Sequence, residues 1–388
     1  MSADKVGVVV LGMSRSGTSA VAGMFASAGF FAARERELMA ATEHNAAGHW
    51  ENLEVCRTNE SVLGRLGGSW FDPPSEDRQL AARPWAVPEL RSVFERVVDQ
   101  AENVPVVLKD PRIGVMLPLW GEIIDHLHPV LVIRDPIEVA LSLNRRDGSP
   151  TSFMLAAWQL HMTRMLPHLQ RRVVTVAPYT RLLESSQCAY LVIGSTVRHL
   201  RDDLASRVNS ESSLTALDPA LHRSHVSPGD HERQMSVRQL ELWSELASLD
   251  PGDQRIDISE DAIASDPAAL SLVRAETERL AMLERVDKAE QASATERDRT
   301  EALTLELAAE RERTEALTLE LAAERERSEA LSMHLAGERD RAAAAAAGQI
   351  TAEGWLEAIQ TSPSWRITAP LRAGKRTIRR LGRGARIP

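Results

Sequence analysis

The sequence predicts an α/β domain with a mostly parallel sheet, followed by one long helix. Short apolar runs rich in β-branched residues alternate with helix-favouring segments, which is the pattern of parallel strands joined by crossover helices. Beyond about residue 286 the chain consists almost entirely of Ala, Glu, Arg and Leu and repeats itself. We expect ligand sites at the carboxyl edge of the sheet, where the loops to the helices begin. Strands are predicted near residues 6–11, 104–109, 130–133 and 173–177.

The composition restricts the classes of function. A chain of 388 residues with 43% hydrophobic and 26% charged content can form one sizeable core and further segments. A net charge of -9 argues against a general nucleic-acid binder, because neutralising phosphates needs a basic surface. The two cysteines, Cys56 and Cys188, are too few for a disulfide framework or a cysteine zinc site. With no apparent leader or membrane-spanning run, we expect a cytoplasmic protein.

The first predicted strand is followed by the loop GMSRSGTS, residues 12–19, and then by a helix. In this geometry Gly12 and Gly17 permit close backbone approach, and the loop amides face an anion at the helix N-terminus. Thr18 stands where a Walker loop carries its lysine, so Arg15 is the cation within the loop. A guanidinium binds oxyanions without a metal, and we therefore expect no metal. The alternative is a Gly/Ser-rich turn that holds no ligand.

The next two predicted strands also end in charged residues. "VVLKDPR" places Lys109, Asp110 and Arg112 after one strand, either as a cationic site or as a salt-bridge cluster. "VLVIRDPIEVALSLNRR", residues 130–146, places Arg134 at the end of another, and a helix follows with proline in its first turn. Ser142 comes eight residues after Arg134, so both can face one phosphate. The alternative for Arg134 is an i,i+4 ion pair within the helix.

These segments resemble the sulfotransferases that use PAPS (3'-phosphoadenosine 5'-phosphosulfate), in particular the bacterial P-loop type. The likeness covers about residues 6–245 and rests on R-S-G-T-S and on R-x-P with a serine eight residues after the arginine. Ser14 stands where bacterial members carry a histidine. The resemblance implies a P-loop-type three-layer α/β/α domain and metal-free, in-line sulfuryl transfer to a hydroxyl. It assigns the 5'-phosphosulfate to Arg15, Ser16, Gly17, Thr18 and Ser19, and the 3'-phosphate to Arg134 and Ser142.

The resemblance extends to further candidates for the donor side of the reaction. Lys109 is a candidate for stabilising the leaving phosphate. Tyr179, in "VTVAPYTRLLES", is a candidate for contact with the adenosine end or, equally, for the core. "DPALHRSH", Asp218 to His225, resembles a late element of the bacterial family that lies over the cofactor.

A hydroxyl acceptor needs a general base, for which His and Glu are the usual side chains. "EHNAAGHWENLEV", residues 43–55, resembles the loop that carries the base in the bacterial family, and we predict Glu51 as the base with His49 second. The alternative is an exposed pair of polar loop residues. Trp50 and the segment 69–74 are predicted to offer apolar surface to a saccharide-containing acceptor.

The C-terminal third contains a repeat of fourteen residues, or two heptads. "TEALTLELAAERER" occupies residues 300–313 and 314–327, and degenerate copies of it occupy residues 286–299 and 328–341. The composition predicts one helix of about 55 residues. Its leucines form a seam that glutamates interrupt in alternate heptads, which favours either a weak coiled coil that joins two copies of the enzyme or a single solvated helix.

The last residues are basic, with eight Arg or Lys and no acid from Ser362 onward. Together with Trp365 this composition is typical of contact with an anionic membrane or, alternatively, of a disordered basic end. The predicted organisation is therefore a sulfotransferase-like domain, a helical linker, the repeat helix and a basic tail. Their boundaries are 1–250, 251–285, 286–341 and 342–388.

Two other functions remain open at this stage. The chain is either an interaction protein whose long helix is the working part and whose P-loop domain is non-catalytic, or a P-loop metabolite kinase. The absent loop lysine and the lack of a clear Walker B carboxylate disfavour the kinase. The leading interpretation is a sulfotransferase that modifies a carbohydrate, a glycolipid or a secondary metabolite.

Overall fold

A computed structural model of the chain describes residues 5–42, 48–209, 226–227 and 229–372. The chain divides into two units, Met1–Arg285 and Val286–Pro388. The segment 218–225, which was predicted to cover the cofactor, and the first residues of the predicted acceptor loop, 43–47, lie outside the described residues.

The first unit is built on a five-stranded sheet with the order β2-β1-β3-β4-β5. The four predicted strands are confirmed and run parallel to one another, whereas β5 is antiparallel to β4. β5 has the sequence GDQR and contains no apolar run, which is why the sequence pattern did not reveal it. It lies beyond residue 250, so the sheet extends past the predicted end of the domain. The strands β1–β5 span Gly7–Leu11, Val106–Lys109, Leu127–Ile133, Val173–Pro178 and Gly252–Arg255.

Helices cover both faces of this sheet. On β1, Val9 and Leu11 belong to one buried apolar cluster, while Val8 and Val10 belong to a second on the opposite face. Because successive strand residues point to opposite faces, an all-apolar strand identifies a sheet buried on both sides. The predicted three-layer α/β/α architecture with a mostly parallel sheet is therefore confirmed.

The helices of the first unit alternate with these strands. Helices α1–α5 span Thr18–Ser27, Leu53–Arg65, Glu76–Gln100, Pro111–Val115 and Leu117–Ile124. Helices α6–α9 span Pro136–Asp147, Thr151–Met165, Tyr179–Glu184 and Ser186–Val197, and α10–α13 span Asp202–Ala205, Asp230–Gln234, Val237–Ala247 and Glu260–Ile263. Short 3-10 turns lie at Glu35–Glu37 and Leu166–His168.

The second unit is dominated by α14, Pro267–Thr361, whose residues before 286 belong to the first unit. The predicted long helix is present but longer than expected, at 95 residues. It continues beyond the repeat because the run of alanines at 342–347 has the highest helix propensity of any sequence. A short helix, α15, follows at Pro363–Ile367. Among the described residues no helix is both long and apolar enough to cross a bilayer.

Only the beginning of the predicted basic tail belongs to the described part of the chain. There the Arg372 guanidinium lies 3.4 Å from the centre of the Trp365 ring. Residues 373–388, which hold most of the predicted membrane-binding charge, lie outside the described residues, so membrane contact stays a prediction.

Candidate functional site

The loop after β1 has a backbone that requires glycine at two places. Gly12 and Gly17 have φ angles of 145° and 95°, which L side chains rarely adopt. A Cβ atom at Gly17 would overlap the ring of Tyr179, and one at Gly12 would lie 2.9 Å from the carbonyl oxygen of Val132. Both glycines therefore allow the loop to pass close to its neighbours and to turn into α1.

The N-terminus of α1 has the features of an anion site. Its N-cap is Gly17, which supplies no side-chain acceptor for the amides of the first turn. The hydroxyl of Ser16 is buried, with the residue 1% exposed, and has no hydrogen-bond partner among the described residues. A buried hydroxyl without a partner is costly, and an oxyanion at this helix end would accept from both the hydroxyl and the amides.

The strand order places a cationic strand end on each side of this loop. β1 lies between β2, which ends at Lys109, and β3, which is followed by Arg134. Because the carboxyl ends of parallel strands meet at one edge, two segments far apart in sequence converge on the loop. This convergence creates the candidate site.

On the β3 side, two arginines connect the loop to α6. The Arg15 Nε donates to the Ser142 hydroxyl at 3.1 Å, and the Arg134 Nη1 donates to the Arg15 carbonyl oxygen at 2.9 Å. The Arg134 Nε also donates to Glu138 at 2.9 Å, so the predicted ion pair exists together with the loop contact. The residues expected to bind two different phosphates therefore form one continuous network.

Tyr179 is the first residue of α8 and packs against both the loop and Arg134. It is 3% exposed and lies against Gly17, and the Arg134 guanidinium sits 4.8 Å from its ring centre. The ring thus packs as a core side chain and lines the cleft at the same time. Stacking on a buried ring also fixes the orientation of the Arg134 guanidinium.

On the β2 side, Lys109 brings an ammonium group to the loop after β1, which contains no lysine of its own. Its ammonium group donates to the Ser19 hydroxyl at 3.0 Å and forms an ion pair with Glu51. Both partners of the ion pair are buried, at 4% and 5% exposed. An ammonium from β2 thereby occupies the neighbourhood of Thr18, the position at which a Walker loop carries its own lysine.

Glu51 lies on the segment that leads into α2. The Cys56 thiol donates to its second carboxylate oxygen at 3.5 Å, and burial, with Asp110 and Glu51 nearby, raises the pKa of that thiol. Asn52 caps α2 by accepting from the backbone N–H of Glu54 at 2.9 Å. The cap and the thiol hold Glu51 in place at the edge of the cleft.

His49 also lines the cleft, at 3.1 Å from the Thr42 hydroxyl through its Nε2. Burial lowers the pKa of its imidazole, against the opposing effect of Glu51. The structure thus brings both predicted bases, Glu51 and His49, to one cleft with the cationic loop. They form a partly buried pair beside the other candidate residues, unlike the exposed loop pair considered from the sequence.

Asp110 and Arg112 line the cleft and also connect two helices. Asp110 is fully buried, caps α4 through the Arg112 backbone N–H at 2.9 Å, and accepts from the Asn59 side chain at 2.8 Å. Burial raises the pKa of Asp110, while the charge of Arg112 opposes the rise. Arg112 also pairs with Glu60 on α2. Asp110 and Arg112 therefore form the salt-bridge cluster considered from the sequence, and this cluster joins α2 to α4.

The cleft has a volume of about 620 Å³, a size typical of small-molecule sites. Burial, followed by the charges of Arg146 and Arg134, lowers the pKa of Arg15. Crowded guanidinium groups that repel one another favour a polyanionic ligand. Among the described residues, six cationic and two acidic side chains line the cleft: Arg15, Lys109, Arg112, Arg134, Arg145, Arg146, Glu51 and Asp110.

Two of these arginines were missed by sequence reasoning. Arg145 and Arg146 follow Ser142 by three and four residues on α6, so helical periodicity places them on the same face. That spacing is visible in the sequence and was a usable signal. Arg146 pairs with Asp147 at 2.5 Å and lies 5.7 Å from the Trp70 ring centre.

The two tryptophans predicted to face an acceptor behave differently. Trp50 packs against α1, where a Cβ at Gly23 would lie 2.7 Å from its ring nitrogen, and it does not line the cleft. Its ring packs against the apolar cluster that contains Val8 and Val10, with a backbone φ of 55°, so contact of Trp50 with an acceptor stays a prediction. Trp70, from the segment 69–74, does line the cleft.

Comparisons with known proteins give one distant structural likeness. The chain is similar to the sulfotransferase domain of the olefin synthase of Synechococcus PCC 7002, with 17% identity and a TM-score of 0.39 over 63% of this chain and 95% of that domain. No known family model matches the sequence, and a search of curated proteins finds no match. At this distance the chemistry of the cleft has to be argued from its own residues.

Proposed function

We propose that the first unit is a sulfotransferase that takes a sulfuryl group from PAPS and transfers it to a hydroxyl group. The observation that carries the proposal is the cleft in which six cationic side chains surround a glycine-bounded loop beside the Lys109–Glu51 pair. PAPS carries a phosphosulfate and a separate 3'-phosphate, and a cluster of guanidinium groups matches such a polyanion.

The donor would lie across both halves of the cationic network. The loop residues Arg15 to Ser19 would hold the phosphosulfate, with the unpartnered Ser16 hydroxyl as an additional donor. Arg134 and Ser142 would hold the 3'-phosphate, and Tyr179 would contact the adenosine end. When bound, PAPS would supply an activated sulfuryl group whose leaving group is a phosphate.

The residues on the β2 side would carry out proton transfer and charge stabilisation. The Glu51 carboxylate would accept the proton of the acceptor hydroxyl as its oxygen forms the new bond to sulfur, with His49 as the alternative base. Lys109, already hydrogen bonded to Ser19 of the loop, would stabilise the negative charge of the leaving phosphate. The chain's own ammonium and guanidinium groups would thus stabilise the negative charge that develops during sulfuryl transfer, without a metal.

The acceptor side of the cleft supports a hydroxylated, saccharide-containing compound such as a carbohydrate, a glycolipid or a glycosylated metabolite. Trp70 offers an aromatic surface at the cleft, which sugars commonly stack against. A screen of host glycolipid and polysaccharide extracts with radiolabelled PAPS would identify the compound that becomes labelled.

Donor binding can be tested by thermal unfolding with adenosine 3',5'-bisphosphate, ATP with magnesium, or sulfate. We expect metal-independent stabilisation by the bisphosphate, because a ligand at 100 times its Kd adds about 2.7 kcal/mol. Arg134→Met should abolish this shift, while Arg181→Met, at an exposed arginine paired with Asp250, should retain it.

The other outcomes of this experiment distinguish the alternatives. Stabilisation by ATP with magnesium alone would support a metabolite kinase. No response to any nucleotide would support an interaction protein with a non-catalytic P-loop domain.

A further inference from the structure

Nine of the large apolar side chains that the described part of the second unit exposes share one heptad register. If Leu307 is assigned position a, each of these nine falls at position a or d, while others, such as Leu305 and Leu319, fall at position f. The exposed fractions of the nine lie between 43% and 60%. The set consists of Val286, Leu303, Leu307, Leu317, Leu321, Leu331, Leu335, Leu356 and Ile359.

The register continues where the sequence repeat has ended. The repeat stops at residue 341, but Leu356 and Ile359 keep the positions a and d after the alanine-rich stretch. A solitary solvated helix has no need to return large apolar residues to the same a and d positions after the repeat has ended, whereas a partner helix requires it. We call the a and d positions of residues 286–359 the apolar seam.

Glutamates at four d positions, Glu296, Glu310, Glu324 and Glu338, are the main objection to pairing along this seam. Three of them are paired with an arginine three residues later in the same chain: Glu310–Arg313 at 3.3 Å, Glu324–Arg327 at 3.0 Å and Glu338–Arg341 at 2.5 Å. The charge of these three is therefore already balanced beside the seam, and their methylene stems remain available for packing.

The flanking charges favour one orientation of a second helix. Glu306 and Glu320 occupy g positions, and Arg311 and Arg325 occupy e positions. In a parallel, in-register pair each g residue faces the e residue five positions later in the other copy, so Glu306 faces Arg311 and Glu320 faces Arg325. An antiparallel pair that aligned all leucine layers would be centred on Leu319 and would place arginines next to arginines.

We propose that a second copy of this chain covers the apolar seam, as a parallel two-stranded coiled coil over residues 286–359. The self-complementary e and g charges select an identical chain as the partner. The inference concerns assembly alone, so its failure would leave the proposed sulfotransferase reaction untouched.

The mass of the full-length chain in solution tests the assembly. We expect light scattering to give twice the chain mass of 42.8 kDa. The double variant Leu317→Lys, Leu321→Lys should be monomeric, because it places charge in two adjacent seam layers. The matched control Leu305→Lys, Leu319→Lys changes two exposed leucines at f positions and should remain dimeric.

A monomeric wild type, a trimer, or equal effects of the two double variants would overturn the proposal. A wild-type monomer would mean that another molecule or water covers the seam. Circular dichroism at the helix band should show that both variants keep their helix, so that a lost dimer is separated from a lost fold.

Cysteine cross-linking tests the orientation. Both native cysteines are buried in the first unit, so a cysteine at position 303 reports on the seam alone. Under mild oxidation Leu303→Cys should form a disulfide-linked dimer, because parallel copies place position 303 against itself. Cross-linking only in the double variant Leu303→Cys, Leu335→Cys would indicate an antiparallel pair and overturn the parallel arrangement.

Discussion

The two ends of the sheet both gather titratable side chains, and their chemistry is opposite. At the carboxyl end, Arg15, Lys109 and Arg134 belong to a cleft with six cations and two carboxylates. At the amino end, His128 and His199 surround Asp253, and all three groups are hydrogen bonded. The first cluster has an excess of positive charge and borders a cavity, whereas the polar groups of the second are hydrogen bonded to one another and to Thr175.

In the amino-end cluster, the titratable side chains hydrogen bond to neighbouring residues and stabilise the fold. The Asp253 carboxylate accepts from Thr175 at 2.7 Å and bonds His199 at 2.8 Å. Burial alone would raise the pKa of Asp253, but these hydrogen bonds outweigh it and lower the pKa. The His128 and His199 rings are stacked 4.0 Å apart and 4° from parallel, so their in-plane lone pairs run side by side instead of meeting at one ion.

The comparison of the two clusters indicates that an excess of charge next to a cavity is a better sign of a ligand site than burial or a shifted pKa alone. We expect an anionic ligand to bind in the cationic cleft, whereas the Asp253 carboxylate of the histidine cluster already has hydrogen-bond partners within the fold. Variants at the two ends should therefore differ in kind: those in the cleft should affect activity, and those at the amino end should affect stability.

The largest expected effect is on catalysis at the carboxyl end. Glu51→Gln keeps the size of the side chain but removes the proton acceptor, and we expect turnover to fall by about 100-fold or more. Binding of adenosine 3',5'-bisphosphate should stay near that of the wild type. Initial rates with an identified acceptor, together with calorimetric titration of the bisphosphate, provide the measurement.

The matched control for this prediction is Glu54→Gln, three residues further along the chain, in the first turn of α2 and in an exposed ion pair with Arg96. It should turn over like the wild type. Wild-type turnover in Glu51→Gln would remove Glu51 from the role of base and would leave His49 as the candidate.

The next effect belongs to the amino end and depends on pH. Burial, with the charge of His199, lowers the pKa of His128 from 6.5 to about 3, so the folded state holds this ring neutral. The unfolded chain binds a proton more readily between these values, and stability should fall as pH decreases from 6.5 towards 3. Each unit of pKa difference corresponds to about 1.4 kcal/mol, so the contribution to acid unfolding is large.

Denaturant titrations between pH 7 and pH 4 would measure this dependence. His128→Gln should show a shallower loss of stability than the wild type, and His126→Gln provides the same substitution at an exposed position. An unchanged slope in His128→Gln would show that His128 is not the group responsible.

A smaller effect on stability is expected from a substitution in the loop after β1, at the carboxyl end of the sheet. Gly17→Ala adds a Cβ that overlaps Tyr179 at a φ of 95°, and we expect a loss of stability on the order of 2 kcal/mol together with weaker bisphosphate binding. Gly194→Ala, in a helix with nothing within 4 Å of the new atom, should instead be neutral or stabilising. Equal effects of the two substitutions would contradict the close packing of the loop.

The smallest effect concerns a buried histidine on α7, outside both clusters. His161 is 1% exposed, and neither of its ring nitrogens has a hydrogen-bond partner among the described residues. His161→Leu removes two unpaired polar atoms, and we expect it to stabilise the protein by about 1 kcal/mol at neutral pH. A destabilised variant would show that the imidazole makes a favourable contact in solution.

Much of the carboxyl-end site was predictable because its residues follow strand ends in sequence. Arg15 to Ser19, Lys109 and Arg134 each lie at a strand-to-helix junction, and a parallel sheet brings such junctions to one edge. The fifth strand was not predictable in this way, since the polar sequence GDQR lacks periodicity and pairs only because β4 has an open edge.

The direction of individual side chains also escaped prediction. Trp50 and Trp70 look equally suited to an acceptor in the sequence, but only Trp70 lines the cleft. The backbone conformation at Trp50 is set by its loop packing on α1, which no local pattern encodes.

Local sequence patterns were enough to predict the four parallel strands, the long helix and the chemical types at the ends of those strands, because hydrophobic periodicity and loop composition are local properties. The tertiary structure decided which of these ends meet. Lys109 and Ser19 are 90 residues apart and become hydrogen bonded because β2 lies beside β1. The strand order therefore supplies from β2 the lysine that the loop lacks, and the packing of the segment before α2 places the Glu51 carboxylate beside it.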